Sequence, residues 1–164
     1  QTSSFVADFL RGMLFRGYSK DTVLHVLNGL VRAGGAECSA TVDLFELDLL
    51  YGKSTFIKSG AAPSYIKHGN KTLCLDAHTV PMGILNINDA QKIKFSAQEN
   101  DVIIMTSDGV AECQADSTQL LEYLDTHTAS APKEMATDIT ELSRANGRTD
   151  DVSVIVIKIF SENY

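Results

Sequence analysis

Two stretches near the start of the chain carry apolar residues at the spacing of an α-helix. In the first stretch, apolar positions recur with helical periodicity until Gly17 ends the run. The second stretch begins at Ser19, a residue type that caps helix N-termini, and ends at a pair of glycines. We therefore expect two amphipathic helices within residues 3–33. Their apolar faces comprise Phe5, Val6, Phe9, Leu10, Met13 and Leu14, and then Val23, Val26, Leu27, Leu30 and Val31.

Shorter runs of strand-forming residues follow, separated by turn residues. Tyr51-Gly52-Lys53 and His68-Gly69-Asn70 each connect two such runs, which predicts two β-hairpins and a solvated His68. Consecutive hairpins with peripheral helices predict an α+β domain of antiparallel sheets without an internal boundary. Strands are expected at residues 40–50, 54–59, 64–67, 71–76, 92–95, 102–105 and 152–159, and further helices at residues 117–126 and 132–144.

The composition fits one globular domain and argues against several classes of function. The 164 residues are 44% hydrophobic and 21% charged, and the net charge of −7 disfavours nucleic acid or an anionic membrane as a partner. Cys38, Cys74 and Cys113 form no C-x-x-C pair, which argues against a zinc site or disulfide framework and for a reducing compartment. Charged residues interrupt the N-terminal stretch, so it does not read as a signal peptide. We expect a cytoplasmic domain and leave open a membrane anchor elsewhere in the parent protein.

The clearest candidate chemistry lies where the strand at residues 102–105 ends. A Thr-Ser pair is followed by Asp108, a hard oxygen ligand, and by Gly109, which allows a tight turn or a close backbone approach. Asp150 and Asp151 stand just before the last strand. Each of these residues is also common where a strand simply ends or the chain turns. Two adjacent carboxylates repel one another, however, and a bound cation is the usual reason for such an arrangement.

The sequences TSDGV at residues 106–110 and GRTDDVSVIVI at residues 147–157 stand in an order that is typical of one enzyme family. Together they resemble the closing motifs of the metal-dependent serine/threonine protein phosphatases of the PPM type. Further upstream, GAAPSYIKHGN at residues 60–70 and VPMGIL at residues 80–85 resemble the bacterial branch of that family, typified by the phosphatase domain of stage II sporulation protein E. The resemblance covers the chain from Ser19 onward.

The resemblance implies a fold, an activity and a metal site. The implied fold is a sandwich of two antiparallel β-sheets flanked by helices, and the implied reaction is hydrolysis of phosphoserine or phosphothreonine on a protein. Asp108 and Asp150 match catalytic metal ligands, and Asp151 and Gly109 lie beside them. The expected cofactor is Mn²⁺ or Mg²⁺ in a two-metal site. The expected substrate is a phosphorylated anti-sigma-factor antagonist in a sporulating bacterium.

One motif of the family is absent from this sequence. PPM phosphatases carry a further Asp-Gly pair early in the fold, whose carboxylate bridges two metals, and no such pair occurs near the start of this chain. We therefore expect residues 1–164 to be a C-terminal fragment of a longer protein, a phosphatase-like domain without its first strands that is weak or inactive alone. Uncovered apolar surface on Phe5, Phe9 or Met13 would favour a homodimer or a rearranged N-terminal helix. The alternative is a catalytically incomplete interaction module. A haloacid-dehalogenase-like phosphatase is disfavoured, because it needs a D-x-D motif that this sequence lacks.

Overall fold

The computed structural model describes residues 2–35, 38–110, 114–127, 131–145 and 150–160. The described strands form a three-stranded sheet in the order β1-β2-β5 and a four-stranded sheet in the order β4-β3-β6-β7. The predicted fold class, α+β with two antiparallel sheets and flanking helices, is confirmed. The elements are α1 (Thr2–Phe15), α2 (Lys20–Ala33), β1 (Val42–Leu47), β2 (Lys53–Ser59), β3 (Ser64–His68), β4 (Lys71–Leu75), β5 (Gln91–Ser96), β6 (Val102–Thr106), α3 (Gln114–Thr126), α4 (Pro132–Ala145) and β7 (Val154–Lys158).

The first of two compact units comprises Gln1–Leu44, Phe56–Ala61 and Ala77–Lys92. Ser19 caps α2 as its position predicts, because its side chain accepts the amide proton of Thr22 at 3.2 Å. The buried residues of α1 and α2 pack against residues of β1, β2 and a later loop, and this burial holds the helix pair in place. Val26 and Leu30, expected on the apolar face of α2, are instead 39% and 42% exposed. The core of the unit contains Val6, Leu10, Val23, Leu24, Leu27, Val31, Val42, Ile57 and Met82.

The second unit comprises Phe45–Thr55, Ala62–Asp76 and Ile93–Tyr164, and it contains the four-stranded sheet. All strand pairs in that sheet are antiparallel. β6 lies between β3 and β7 and is buried over most of its length, as its run of apolar residues predicts. Residues of β3 and β6 pack with α3 and α4 in a core that contains Tyr65, Val102, Ile104, Val110, Leu120, Leu124, Met135 and Ile139.

The turn between β1 and β2 differs from its prediction. β1 ends at Leu47 and not at residue 50, because Asp48 turns the chain. The Oδ1 atom of Asp48 accepts the amide protons of Leu50 at 2.9 Å and Tyr51 at 3.1 Å. Leu49, Leu50 and Tyr51, which we call the hairpin tip, are consequently 89%, 87% and 73% exposed.

Several element boundaries and side-chain environments also differ from expectation. α3 begins at Gln114 and not at residue 117, and β7 is shorter than the run of apolar residues that predicted it. Phe5 is 47% exposed, whereas Phe9 and Met13 are half-buried against the core of the first unit. Cys113 and residues 146–149 lie outside the described residues. None of the helices described is long and apolar enough to cross a lipid bilayer.

Candidate metal centre

Antiparallel pairing of β6 with β7 brings the two acidic motifs to one edge of the four-stranded sheet. Thr106, the last residue of β6, pairs with Val154, the first residue of β7. The chain that leaves β6 and the chain that enters β7 therefore run side by side at this edge. Asp108 lies in the first segment, and Asp150 and Asp151 lie in the second. The matching strand-end positions in the sequence thus correspond to one place in the fold.

Ser107 joins the two segments through hydrogen bonds. Its amide donates to the carbonyl of Ser153 at 3.0 Å, and the amide of Ser153 donates to the Ser107 Oγ atom at 2.9 Å. The Ser107 hydroxyl in turn donates to the Asp151 carbonyl oxygen at 3.4 Å. Sequence reasoning missed this role, because a serine after a strand looks like any other turn residue.

Gly109 lies so close to the second segment that a side chain does not fit. A Cβ atom at this position would be 2.5 Å from the carbonyl oxygen of Asp151. Gly109 is not among the residues with a positive φ, so a left-handed turn is not what requires glycine here. Gly109 lies in a turn in which the Val110 amide donates to the Ser107 carbonyl at 3.0 Å, and the close backbone approach is what requires glycine there.

The carboxylates of Asp108, Asp150 and Asp151 are exposed at this edge. Asp108 accepts the amide proton of Gly109 through Oδ1 at 3.1 Å, and Asp150 accepts that of Asp151 through Oδ1 at 2.8 Å. A carboxylate has about four lone-pair directions, so each retains capacity to bind a cation. The two segments therefore present oriented oxygen donors to solvent.

Polar contacts from other elements hold the backbone that carries Asp108. Ser143 of α4 is 3% exposed, and its hydroxyl donates to the Gly109 carbonyl at 2.8 Å. The Thr106 hydroxyl donates to the Pro63 carbonyl at 2.7 Å, which ties the loop before β3 to the same strand end. The partners in these contacts are 34 and 43 residues apart, so no local pattern in the sequence could reveal them.

The donor chemistry at this edge fits a hard divalent cation. Mg²⁺ and Mn²⁺ prefer carboxylate and carbonyl oxygens, and the two segments supply both kinds of atom. Within the part of the chain that the structure describes, however, no group of three or more His, Cys, Asp or Glu side chains is arranged to hold a metal ion. The residues present thus fit part of a metal site. The assignment of Asp108 and Asp150 as catalytic ligands, with Asp151 and Gly109 in support, stays a prediction.

Comparison with known sequences identifies one family. A family model described as stage II sporulation protein E (SpoIIE) matches residues 1–160. Stage II sporulation protein E of Bacillus subtilis (strain 168) is 26% identical over 158 residues, which make up 92% of this chain. That of Priestia megaterium is 31% identical over 111 residues, which make up 67% of this chain. The chain spans 19% of the length of each of these relatives.

Comparison with solved structures shows a shared fold. The phosphatase domain of the cell fate determinant SpoIIE from Bacillus subtilis, in a crystal form without domain swapping, matches with a TM-score of 0.72 and 23% identity. That match covers 99% of this chain and 75% of the other. The catalytic domain of the serine threonine protein phosphatase PstP, in complex with 2 manganese ions, matches with a TM-score of 0.75 and 16% identity, over 98% of this chain and 81% of the other. This chain therefore belongs to the stage II sporulation protein E (SpoIIE) family and has the fold of its phosphatase domain.

Proposed function

We propose that this chain takes part in the metal-dependent hydrolysis of phosphoserine or phosphothreonine on a protein substrate. The observation that carries the proposal is the convergence of Asp108 with Asp150 and Asp151 at one edge of the four-stranded sheet. Membership of a family with a phosphatase domain supports the same reaction. The bound manganese in the PstP catalytic domain supports Mn²⁺ or Mg²⁺ as the cofactor.

In this proposal the carboxylates hold the cations and the backbone holds the carboxylates. Asp108 and Asp150 are the ligands, and Asp151 orients a ligand or a water molecule beside them. When bound as a pair, divalent cations of this kind supply charge stabilisation for a phosphoryl group and an activated water. Gly109 allows the two segments to approach closely, and Ser143 holds the Gly109 backbone. Catalysis by positioning and charge is sensitive to small displacements of such groups.

The geometry around Asp108 favours water over a serine as the attacking group. Ser107 carries the adjacent hydroxyl, and its Oγ atom accepts the Ser153 amide proton while it donates to the Asp151 carbonyl. A nucleophilic serine would instead be hydrogen-bonded to a general base. Direct attack by water, without a covalent enzyme intermediate, is consistent with these contacts.

For the substrate we propose a phosphorylated anti-sigma-factor antagonist, in the control of sporulation sigma factors. The family resemblance supports this choice, and the net charge of −7 is compatible with a protein partner in preference to nucleic acid. The proposed location is the cytoplasm, with a membrane anchor in the parent protein as a further part of the proposal. The partly exposed Phe5 on α1 supports a homodimer through that helix.

A second function, a phosphatase-fold interaction module, is favoured by the small number of ligands. In the described ranges, no group of three or more metal-ligating side chains is arranged around one point. A chain of this kind would bind a phosphoprotein without hydrolysing it.

Metal binding by matched variants tests the site itself. Titration with Mn²⁺, followed by electron paramagnetic resonance, should show weak binding that Asp108→Asn and Asp150→Asn each reduce. Asp8→Asn removes an exposed carboxylate of α1 and serves as the control that leaves the affinity unchanged. An affinity that is the same in all these variants would contradict the proposed ligands.

Phosphate release then distinguishes the two functions. Phosphorylated casein is the substrate, with Mn²⁺ present, and the chain is compared with a version extended upstream to the length of the solved domains. Metal-dependent turnover that is lost in Asp108→Asn supports the phosphatase. Turnover that appears only in the extended version supports the phosphatase and places part of its site upstream. Binding of the phosphoprotein without turnover in either version supports the interaction module.

A further inference from the structure

A depression of ≈ 410 Å³ lies in the second unit, away from the candidate metal centre. Asp101 stands directly before β6 and lines this depression, whereas Asp108 follows the other end of the strand. At about 3.3 Å per strand residue, the two places are roughly 20 Å apart. The lining residues used below are Ile66, His68, Lys71, Leu73, Phe95 and Asp101.

The floor of the depression is uncovered apolar surface of the four-stranded sheet. Ile66 and Leu73 are direct partners in the pairing of β3 with β4, so their side chains share one face. Ile66 is 8% exposed, but Leu73 is 59% exposed, because β4 is the edge strand. With Phe95 beside them, these residues form a concave apolar surface of a size that fits a small organic molecule.

The rim of the depression presents the cationic side chain of Lys71. His68 and Lys71 are the next pair on the same face of the sheet, two positions further along the register, and both side chains are exposed. Asp101 is the one carboxylate among the described lining residues, and it is 3% exposed. Its Oδ1 atom lies 2.6 Å from Nδ1 of His68, and its Oδ2 atom accepts the Gln98 amide proton at 2.8 Å. The Asp101 carboxylate is thus hydrogen-bonded within the protein, whereas the Lys71 side chain is exposed to solvent.

We propose that this depression binds a small molecule with an apolar body and one anionic group, such as an aromatic carboxylate or sulfonate. The apolar body covers Leu73 and contacts Ile66 and Phe95. The anionic group lies against the Lys71 ammonium. The site shares no residue with the candidate metal centre. Binding at this site can therefore be tested independently of the proposed phosphatase reaction.

The fluorescent aromatic sulfonate anilinonaphthalene sulfonate tests the proposal directly. We expect saturable, single-site binding to the folded chain. Lys71→Glu should weaken binding about tenfold, because it replaces an attraction with a repulsion. Leu73→Ser should weaken it by about the same factor through lost apolar contact. Lys133→Glu on α4 and Leu50→Ser at the hairpin tip are the matched controls, and they should leave the affinity unchanged.

Further measurements make the proposal falsifiable in each of its parts. Phenylnaphthylamine, which has the same rings without the sulfonate, should bind about tenfold more weakly, and equal affinity would overturn the anionic requirement. Loss of binding in Leu50→Ser would place the probe at the hairpin tip and overturn the site. Amide chemical shifts of the unmodified chain check the location without any substitution. Shifts confined to the depression would support it, and shifts elsewhere would contradict it.

Discussion

Each of the two units buries a strand lysine, and the two lysines have different kinds of hydrogen-bond partner. In the first unit, Lys58 of β2 is fully buried, and its Nζ atom lies 2.6 Å from Oδ2 of Asp43. In the second unit, Lys67 of β3 is 1% exposed, and its Nζ atom donates to the backbone carbonyl of Leu124. The Lys58 ammonium lies beside a carboxylate, and the Lys67 ammonium donates to a peptide carbonyl near the end of α3.

The difference shows what each contact holds in place. A carboxylate partner can adjust by rotating its own side chain, whereas a carbonyl partner can move only with the backbone. Leu124 lies in the last turn of α3, where the helix dipole places partial negative charge. Lys67 therefore ties α3 to the sheet that carries the candidate metal centre. Ser143 makes the same kind of contact from α4 to Gly109. Hydrogen bonds from a side chain to the backbone fix the position of that backbone, which a site needs when its chemistry depends on the exact placement of its ligands.

Removal of the carboxylate in the first unit should give the largest loss of stability. Asp43→Ala removes the carboxylate that lies 2.6 Å from the buried ammonium of Lys58, at a cost of roughly 3–5 kcal/mol in the free energy of unfolding. Urea unfolding at neutral pH measures this loss. Adding Lys58→Met removes the buried charge itself and should restore most of the stability. A double variant as unstable as Asp43→Ala would show that the ion pair is not the cause.

Removal of the lysine in the second unit should have a smaller and more local effect. Lys67→Met leaves the Leu124 carbonyl without its donor, which should cost about 1–3 kcal/mol. Hydrogen exchange should show lower amide protection in α3 and unchanged protection in α2. Lys133→Met, at an exposed position of α4, is the control for loss of a lysine charge. An equal loss of amide protection in α2 and α3 would contradict a local role for the contact between Lys67 and Leu124.

The smallest expected effect concerns a side chain-to-side chain contact between α3 and α4. Burial, the hydrogen bond to Asp138 at 2.9 Å and the negative charge of that residue raise the pKa of Tyr123 from 10.0 to about 12. Because the folded pKa lies above the unfolded one, the contact stabilises the fold fully below pH 10.0 and is lost as the pH rises through about 12. An ultraviolet titration should show that Tyr123 ionises late, and Asp138→Asn should lower its pKa. A titration unchanged by that substitution would exclude Asp138 as a cause.

The sequence predicts the parts of this fold that depend on local patterns. The hairpins, the buried strand before Asp108 and the common edge of the two acidic motifs follow from apolar periodicity and turn residues. The buried lysines could not be predicted, because lysine in a strand normally indicates a solvent-facing position. Their burial depends on partners 15 residues away for Lys58 and 57 residues away for Lys67. Ser143 was missed for the same reason, since its partner lies on another element.

The hairpin tip has a consequence for the behaviour of the protein in concentrated solution. Asp48 fixes the turn through the backbone amides of Leu50 and Tyr51, and this turn leaves the side chains of Leu49, Leu50 and Tyr51 largely exposed. The chain should therefore be retained on hydrophobic chromatography resins more strongly than its charge and composition suggest, and its colloidal stability should fall as concentration rises. Serine in place of both leucines would make the protein easier to concentrate and would keep the turn, since Asp48 bonds to backbone atoms that serine also provides.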